Sequence, residues 1–506
     1  MEALAERAQQ LAELIDRAAS AMYWPYAVCI ALAAAAFFSF RTGFVQIRRL
    51  GEGFRTMVAT QQAGTGGAIS PFQAFMTGLA ATIGTGNIVG VATAIVSGGP
   101  GALFWIWVYG FLATSVKFSE AVLGLKFRIA RGEQTLAGPM YYLRDGLGSP
   151  ALAWLYALIA GIAVLFTTPF TQPNSIAGVL DSQLKQQKLD LGQWPRREAV
   201  IMKPAAPANA APNEVAIQSE PAKPADAAEP FSIDLNRLVI GLVLAVLTWL
   251  VVIGGVKSIG RAAEKLSPLK VGFYMIGGLI VIGMNISRLP EILGLVFQEA
   301  FSLRPVAGAA MGTAMGNAIR FGLARGMYAN EAGYGTAAVV YGVAKSDRPD
   351  QQGLNAMMEV FIITFVTSTI SALALLLTDA WLIEGVKGPA AISAAFNSAM
   401  PNVGGWMLAF SVFLFGYTTL MGWSFYGEQF LEYLFGPRII TPYRWIYCGL
   451  IPLGAIAKVD LVWAWGDILN GAQIFPNLIG LFALSGIAAA YAKRRGDASH
   501  DSADRP

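Results

Sequence analysis

The fold class predicted is an all-α polytopic membrane protein, on three observations. Apolar residues make up 55% of the 506 and charged residues only 13%, and mean hydropathy is +0.52, well outside the soluble globular range. Eleven segments reach or approach the about 20 apolar residues that a bilayer core asks of a helix. Lys and Arg crowd into every second short loop, as they do on the cytoplasmic side of membrane proteins.

Taken in order, residues 1–22 begin "MEALAERAQQLAELIDRAAS". Both charge signs recur there at helical spacing, with no small-residue cleavage site after an apolar core. That predicts an external surface helix and argues against a signal peptide. Residues 23–64 hold one extra transmembrane helix (23–40) and a cytoplasmic linker. A core of ten helices fills 65–490, at 72–97, 101–125, 151–180, 235–256, 268–286, 306–342, 354–378, 405–427, 444–457 and 461–490. Residues 491–506 form a polar tail. Outside the long insertion, twenty basic residues fall in the loops of one face and four in those of the other. This sets the N-terminus outside and the C-terminus in the cytoplasm. The insertion, 183–230, is rich in Ala and Pro and has no periodic apolar face, so it reads as a disordered external loop.

The same composition excludes several functions. Cys29 and Cys448 sit far apart in apolar segments and offer neither a disulfide framework nor metal-ligand spacing. The single histidine, His500, lies in the polar tail, which removes His-based metal and Ser-His chemistry from the spans. A net charge of +4 calls for no nucleic-acid partner. An enzyme needs convergent acid, base or nucleophile groups in the spans, and a channel needs a polar lining along several helices. Neither pattern is present.

Within the second span the stretch "ATIGTGNIVG" (81–90) places Gly84, Thr85, Gly86, Asn87 and Gly90 in an otherwise apolar run. Glycine costs a helix interior about 1 kcal/mol, and lipid supplies no water to satisfy freed backbone groups. Close helix packing is one reading. The polar company of Thr82, Thr85 and Asn87 favours a functional break. A second Gly-rich run, "GAAMGTAMGNAIRFGLARGMYANEAGYGTAAVV" (308–340), stands at the corresponding place in the second half of the core. The two run in opposite directions across the membrane, and paired interruptions of this kind point to a transporter's midplane site in a 5+5 inverted repeat. Bare carbonyls suit a hard cation and bare amides a carboxylate, so a zwitterion with a sodium ion satisfies both. In "FGYTTLMGWSFYGE", Thr418 and Thr419 supply further oxygens, and Trp423, one turn on, a pocket wall. The alternatives are a packing aromatic and hydroxyls bonded back to their own helix.

"GTGNIVGVATAIVSGGPGALFWIWVYG" (84–110) resembles the signature of the alanine/glycine:cation symporters, also called sodium:alanine symporters. So do "AGPMYYLRDGLG" (137–148), "QPNSIA" (172–177), "IGRAAEKLSP" (259–268), "AIRFGLARGMYANEAGYGTA" (318–337) and "GWSFYGEQFLEYLFG" (422–436). The resemblance implies a leucine-transporter-like 5+5 fold with one extra N-terminal helix, eleven transmembrane helices in all. It implies that Thr85, Gly86 and Asn87, with Gln172 and Asn174, hold the amino acid beside Thr419 and Trp423. A sixth-core-helix wall would come from Met311, Thr313, Met315 or Gly316, with Met315 and Gly316 carried forward. Sodium would lie among the carbonyls of Ala80 and Ile83 and the hydroxyls of Thr418 and Thr419. Arg325 and Glu331 fit a cytoplasmic gate or a structural pair. Where the family commonly has an acidic residue in the seventh core helix, this chain has Ile363, which bears on the coupling ion.

The expected function is a monomeric sodium symporter of alanine and glycine in the cell (inner) membrane. Proton coupling to another small solute, or a sensor of the same fold that does not transport, are the alternatives. The partners expected are a small neutral amino acid, Na+ and the lipid bilayer.

Overall fold

The computed structural model describes residues 22–58, 64, 66–131, 134–194, 232–304, 313–383 and 388–494. The surface helix expected at 1–22, Met311, most of the insertion 183–230 and most of the tail fall outside these. In chain order the principal helices are α1 (Val28–Arg41), α2 (Pro71–Thr82), α3 (Val89–Gly98), α4 (Ala102–Lys126), α5 (Pro150–Phe166) and α6 (Thr168–Gln186). They continue as α7 (Leu235–Val252), α8 (Gly255–Met284), α9 (Leu289–Ala300), α10 (Ala314–Asn330), α11 (Thr336–Gly342) and α12 (Pro349–Phe361). The last are α13 (Thr369–Leu377), α14 (Gly388–Ala399), α15 (Gly404–Phe435), α16 (Ile440–Ile456), α17 (Val459–Ala483) and α18 (Ser485–Lys493). Two short antiparallel ribbons join them: β1 (Ile129–Arg131) with β2 (Gln134–Leu136), and β3 (Gln193–Trp194) with β4 (Ile233–Asp234). The second ribbon ties together the two ends of the insertion.

Every segment expected to span is built of helix where it is described, several of them with an internal break. Among the described residues eight helices are long and apolar enough to cross a membrane, or ten with two bent pairs counted as spans. The remaining segment, 306–342, is divided between α10, of 17 residues, and α11, of 7, and neither alone has the length to cross. The chain is therefore an integral, multi-pass helical membrane protein.

Helix α15 is the axle of the bundle, its apolar window 89% buried, whereas that of α7 is 28% buried. Val239, Leu242, Val243, Val246 and Leu250 of α7 all face outward at helical spacing, an apolar stripe that needs a bilayer to cover it. α15 crosses α2 where Gly422 meets Ala81. A Cβ at Gly422 would lie 2.5 Å from the Ala81 Cβ and 2.8 Å from its Cα. Gly422→Ala is expected to lower the melting temperature, by about 1–3 kcal/mol of overpacking, and thermal unfolding in detergent checks it.

Helix α2 starts where the sequence says a helix should. Ser70 accepts from the Gln73 N–H and the Gln73 side chain accepts from the Ser70 N–H, a capping box with Pro71 at the first helical position. It stops at Thr82. Ile83 and Gly84 leave helical geometry, Thr85–Asn87 make one tight turn, and the chain resumes as α3 at an angle of 64°. The released backbone groups are met by side chains from elsewhere, as a buried break demands. Asn87 Nδ2 donates to the Thr82 carbonyl at 3.1 Å, Thr419 Oγ1 to that of Ala80 at 3.1 Å, and the Thr85 N–H to Gln172 Oε1 at 3.0 Å.

The second interruption lies later than the glycine pattern suggests. α10 runs unbroken through Gly316, Gly322 and Gly326, and two of these serve close packing on α4. A Cβ at Gly322 would meet the Ala102 carbonyl oxygen at 2.5 Å, and one at Gly326 the Tyr109 Cβ at 3.2 Å. The break is at Glu331–Gly335, where Glu331, Gly333 and Gly335 have φ of 52°, 94° and 86°. Glu120 of α4 holds it open: one carboxylate oxygen accepts from the N–H groups of Gly333 (2.9 Å) and Gly335 (3.0 Å) and from Asn477 Nδ2 (3.0 Å). Tyr156 donates to the Tyr334 carbonyl at 2.7 Å.

Candidate functional site

The two breaks face one cavity. Thr82, Gly84, Gly86 and Asn87 line it from the α2–α3 break, and Thr167, Thr168 and Gln172 from the α5–α6 corner. Tyr328, Ala329, Glu331 and Tyr334 line it from the α10–α11 break, Thr419 and Trp423 from α15, and Asn470 from α17.

Of the residues expected to hold an amino acid, Gly86, Asn87, Gln172, Thr419 and Trp423 are together on this surface. Thr85 is buried and is gripped by Gln172, whose Oε1 accepts from both its N–H and its hydroxyl at 3.0 Å each. Asn174 does other work. Its Nδ2 donates to the carbonyls of Gly454 (3.1 Å) and Ala457 (2.7 Å), fixing α6 to the end of α16. Met315 and Gly316 form the first turn of α10, where the Gly316 N–H donates to Thr313 Oγ1 at 3.0 Å. Fifteen residues of helix separate Gly316 from Glu331, about 22 Å at 1.5 Å per residue, so the sixth-helix wall is built from Tyr328, Glu331 and Tyr334 instead.

Glu331, expected as a gate or structural partner of Arg325, belongs to the cavity. Its Oε1 accepts from the Trp423 indole N–H at 2.9 Å and its Oε2 from the Thr336 hydroxyl at 3.0 Å. The first bond fixes the indole plane against the cavity and supplies the partner that a buried Trp N–H requires. Asn87 Oδ1 is buried with no hydrogen-bond partner among the described residues, an acceptor poised for a donor or a cation.

The oxygens expected to hold sodium also converge, but on a side chain. Lys270 Nζ of α8 lies 3.1 Å from the Ala80 carbonyl, 2.7 Å from that of Ile83 and 2.7 Å from Thr418 Oγ1, with the Leu79 carbonyl added at 3.0 Å. The count of basic residues takes Lys270 as part of the cytoplasmic loop 257–270, although it also falls at the edge of the span expected at 268–286. α8 begins at Gly255, however, and carries Lys270 fully buried against α2. Thr419 contributes to the cage only through its bond to the Ala80 carbonyl.

A second buried network adjoins the break. Glu359 Oε1 accepts from Thr82 Oγ1 at 2.6 Å and from Lys117 Nζ at 3.0 Å, and Oε2 from the Tyr341 hydroxyl at 2.7 Å. Ile363 lies buried one turn beyond Glu359, itself a buried carboxylate. The sequence signal for Lys117, Glu120, Lys270 and Glu359 is an ionisable residue inside an apolar run, which lipid does not tolerate without a partner. Among the described residues no group of three or more His, Cys, Asp or Glu could hold a metal ion.

Comparison with known proteins shows the family of the chain. The model of the sodium:alanine symporter family matches residues 8–195 and 213–503. The chain is 36% identical over 489 residues to the sodium/alanine symporter AgcS of Methanococcus maripaludis, covering 95% of this chain and 96% of that one. It is 34% identical over 450 residues to an uncharacterized transporter of Haemophilus influenzae, with 88% of each chain covered. To the "Probable sodium/glutamine symporter GlnT" of Bacillus subtilis it is 32% identical over 482 residues, 94% of this chain and 89% of that one. A family match across nearly the whole chain, together with two broken helices closing on one small polar cavity, shows that the chain belongs to the sodium:alanine symporter family, a family of transporters and not of enzymes.

Proposed function

We propose that the chain imports a small neutral amino acid, alanine or glycine, together with sodium, by alternating access within a 5+5 core. The observation that carries this reading is the cavity at the two breaks. It offers the main chain at Gly86, in the turn between α2 and α3, for a carboxylate, and Glu331 and Asn87 Oδ1 for an ammonium or a cation. Tyr328, Tyr334 and Trp423 leave little room for a side chain, so alanine is preferred to glutamine, the substrate in the name of the GlnT relative. The cell membrane, the external N-terminus and a monomeric state belong to the same reading, which rests for orientation on the distribution of basic residues.

Purified chain in proteoliposomes is expected to take up labelled alanine when sodium is placed outside. Glutamine should compete weakly. Uptake driven by an imposed pH gradient without sodium would overturn the choice of ion, and failure to exchange preloaded alanine would mark a sensor. Thr419→Ala and Trp423→Ala are expected to abolish uptake while membrane insertion is normal. Trp423→Phe, which keeps a ring and loses the bond to Glu331, should weaken apparent affinity about tenfold or more, since a hydrogen bond to a charged group is worth about 1.5–3 kcal/mol. Wild-type kinetics in all three variants would remove these residues from the site.

A further inference from the structure

The cage around Lys270 departs from the sodium reading, and the departure is informative. Its four oxygens come from the end of α2 (Leu79, Ala80 and Ile83 carbonyls) and from Thr418 of α15, all within 3.1 Å of Nζ. Four oxygens face Nζ, more than its N–H groups can serve one apiece, so the site is fully coordinated by the side chain. Thr418 Oγ1 can pass its own hydrogen to the Phe415 carbonyl at 3.1 Å, and the Phe415 ring centroid is 5.4 Å from Nζ. The nearby carboxylate, Glu359, is already engaged by Lys117, Thr82 and Tyr341. Lys270 has no exposed surface. A free monovalent cation entering this cage would find its oxygen ligands already taken by Lys270 Nζ.

We infer that the Lys270 side-chain nitrogen fills the cage between α2 and α15 in place of a sodium ion, so that in the native chain this cage binds no sodium and becomes a sodium site only when the side chain is cut back. Sodium that drives transport then binds elsewhere, at the cavity beside Asn87. The inference rests on the proposed function only for the assignment of sodium as the transported ion. The geometry stands without it.

The test is the number of sodium ions bound per full-length chain, measured with radioactive sodium on purified protein. Lys270→Ala is expected to bind one more ion than the native chain, and Lys270→Met, which keeps the bulk without the charge, to bind no additional one. Thr418→Val should leave the native count unchanged and should erase the ion gained by Lys270→Ala. A native count that drops by one on Thr418→Val would overturn the inference, showing sodium in the cage beside Lys270. So would a Lys270→Ala chain that remains monodisperse and binds alanine yet gains no ion. Where Lys270→Ala does not fold, the Thr418→Val measurement on the native background decides alone. Because the readout is ions bound and not alanine moved, failure of the substrate assignment leaves a different signature: an unchanged sodium count with no alanine binding.

Discussion

Lys117→Ala is expected to destabilise the protein by about 3–5 kcal/mol, the cost of leaving a buried carboxylate without its ion partner. Lys117 and Glu359 are 1% and 0% exposed, and their ion pair is 3.0 Å long. Glu359 also accepts from Thr82 and Tyr341, so the charge left behind would keep two neutral donors and lose the cation that balances it. The double variant Lys117→Met with Glu359→Gln should recover most of the loss. Gln still presents an oxygen to Thr82 or Tyr341 and carries no charge to bury. Thermal unfolding in detergent measures both effects. A Lys117→Ala chain that melts with the native protein would show that this pair contributes nothing to holding α4 and α12 together.

Gln172→Ala is expected to weaken alanine binding about 10- to 100-fold. Its Oε1 is the shared acceptor for the Thr85 N–H and hydroxyl. Without it, a buried amide at the break is left unsatisfied at about 1–3 kcal/mol, and a factor of ten in affinity corresponds to about 1.4 kcal/mol. Gln172→Glu keeps the accepting oxygen and should lose much less. Titration of alanine against the purified variants separates the two outcomes, and native affinity in Gln172→Ala would mean that the turn at Thr85–Asn87 holds its shape without help.

How far this was legible in the sequence depends on how local the signal was. The break at Ile83–Asn87 was legible because it is written in adjacent residues, a run of Gly and polar side chains where lipid permits neither. The break at Glu331–Gly335 was harder to find. The glycines before it are more numerous, and a glycine that lets α10 approach α4 looks in one dimension like a glycine that interrupts a helix. Asn174 illustrates a second limit. It stands two residues from Gln172, and a helix turns neighbouring side chains toward different partners, here α16 for one and the cavity for the other. Lys270 illustrates a third. A basic residue fifteen positions beyond the start of a long helix reads as the edge of a loop unless the helix start is known, and nothing in "EKLSPLKVGF" marks Gly255 as that start.

The Glu359 carboxyl group has a consequence for motion. One oxygen holds Thr82, the last residue of α2, and the other holds Tyr341 in α11, so a single rigid planar group is hinged to both discontinuous helices at once. Swinging either limb away must stretch, release or drag that group, and the opposite limb feels it directly. The two broken helices are joined through one side chain, and Glu359 is the tooth they share.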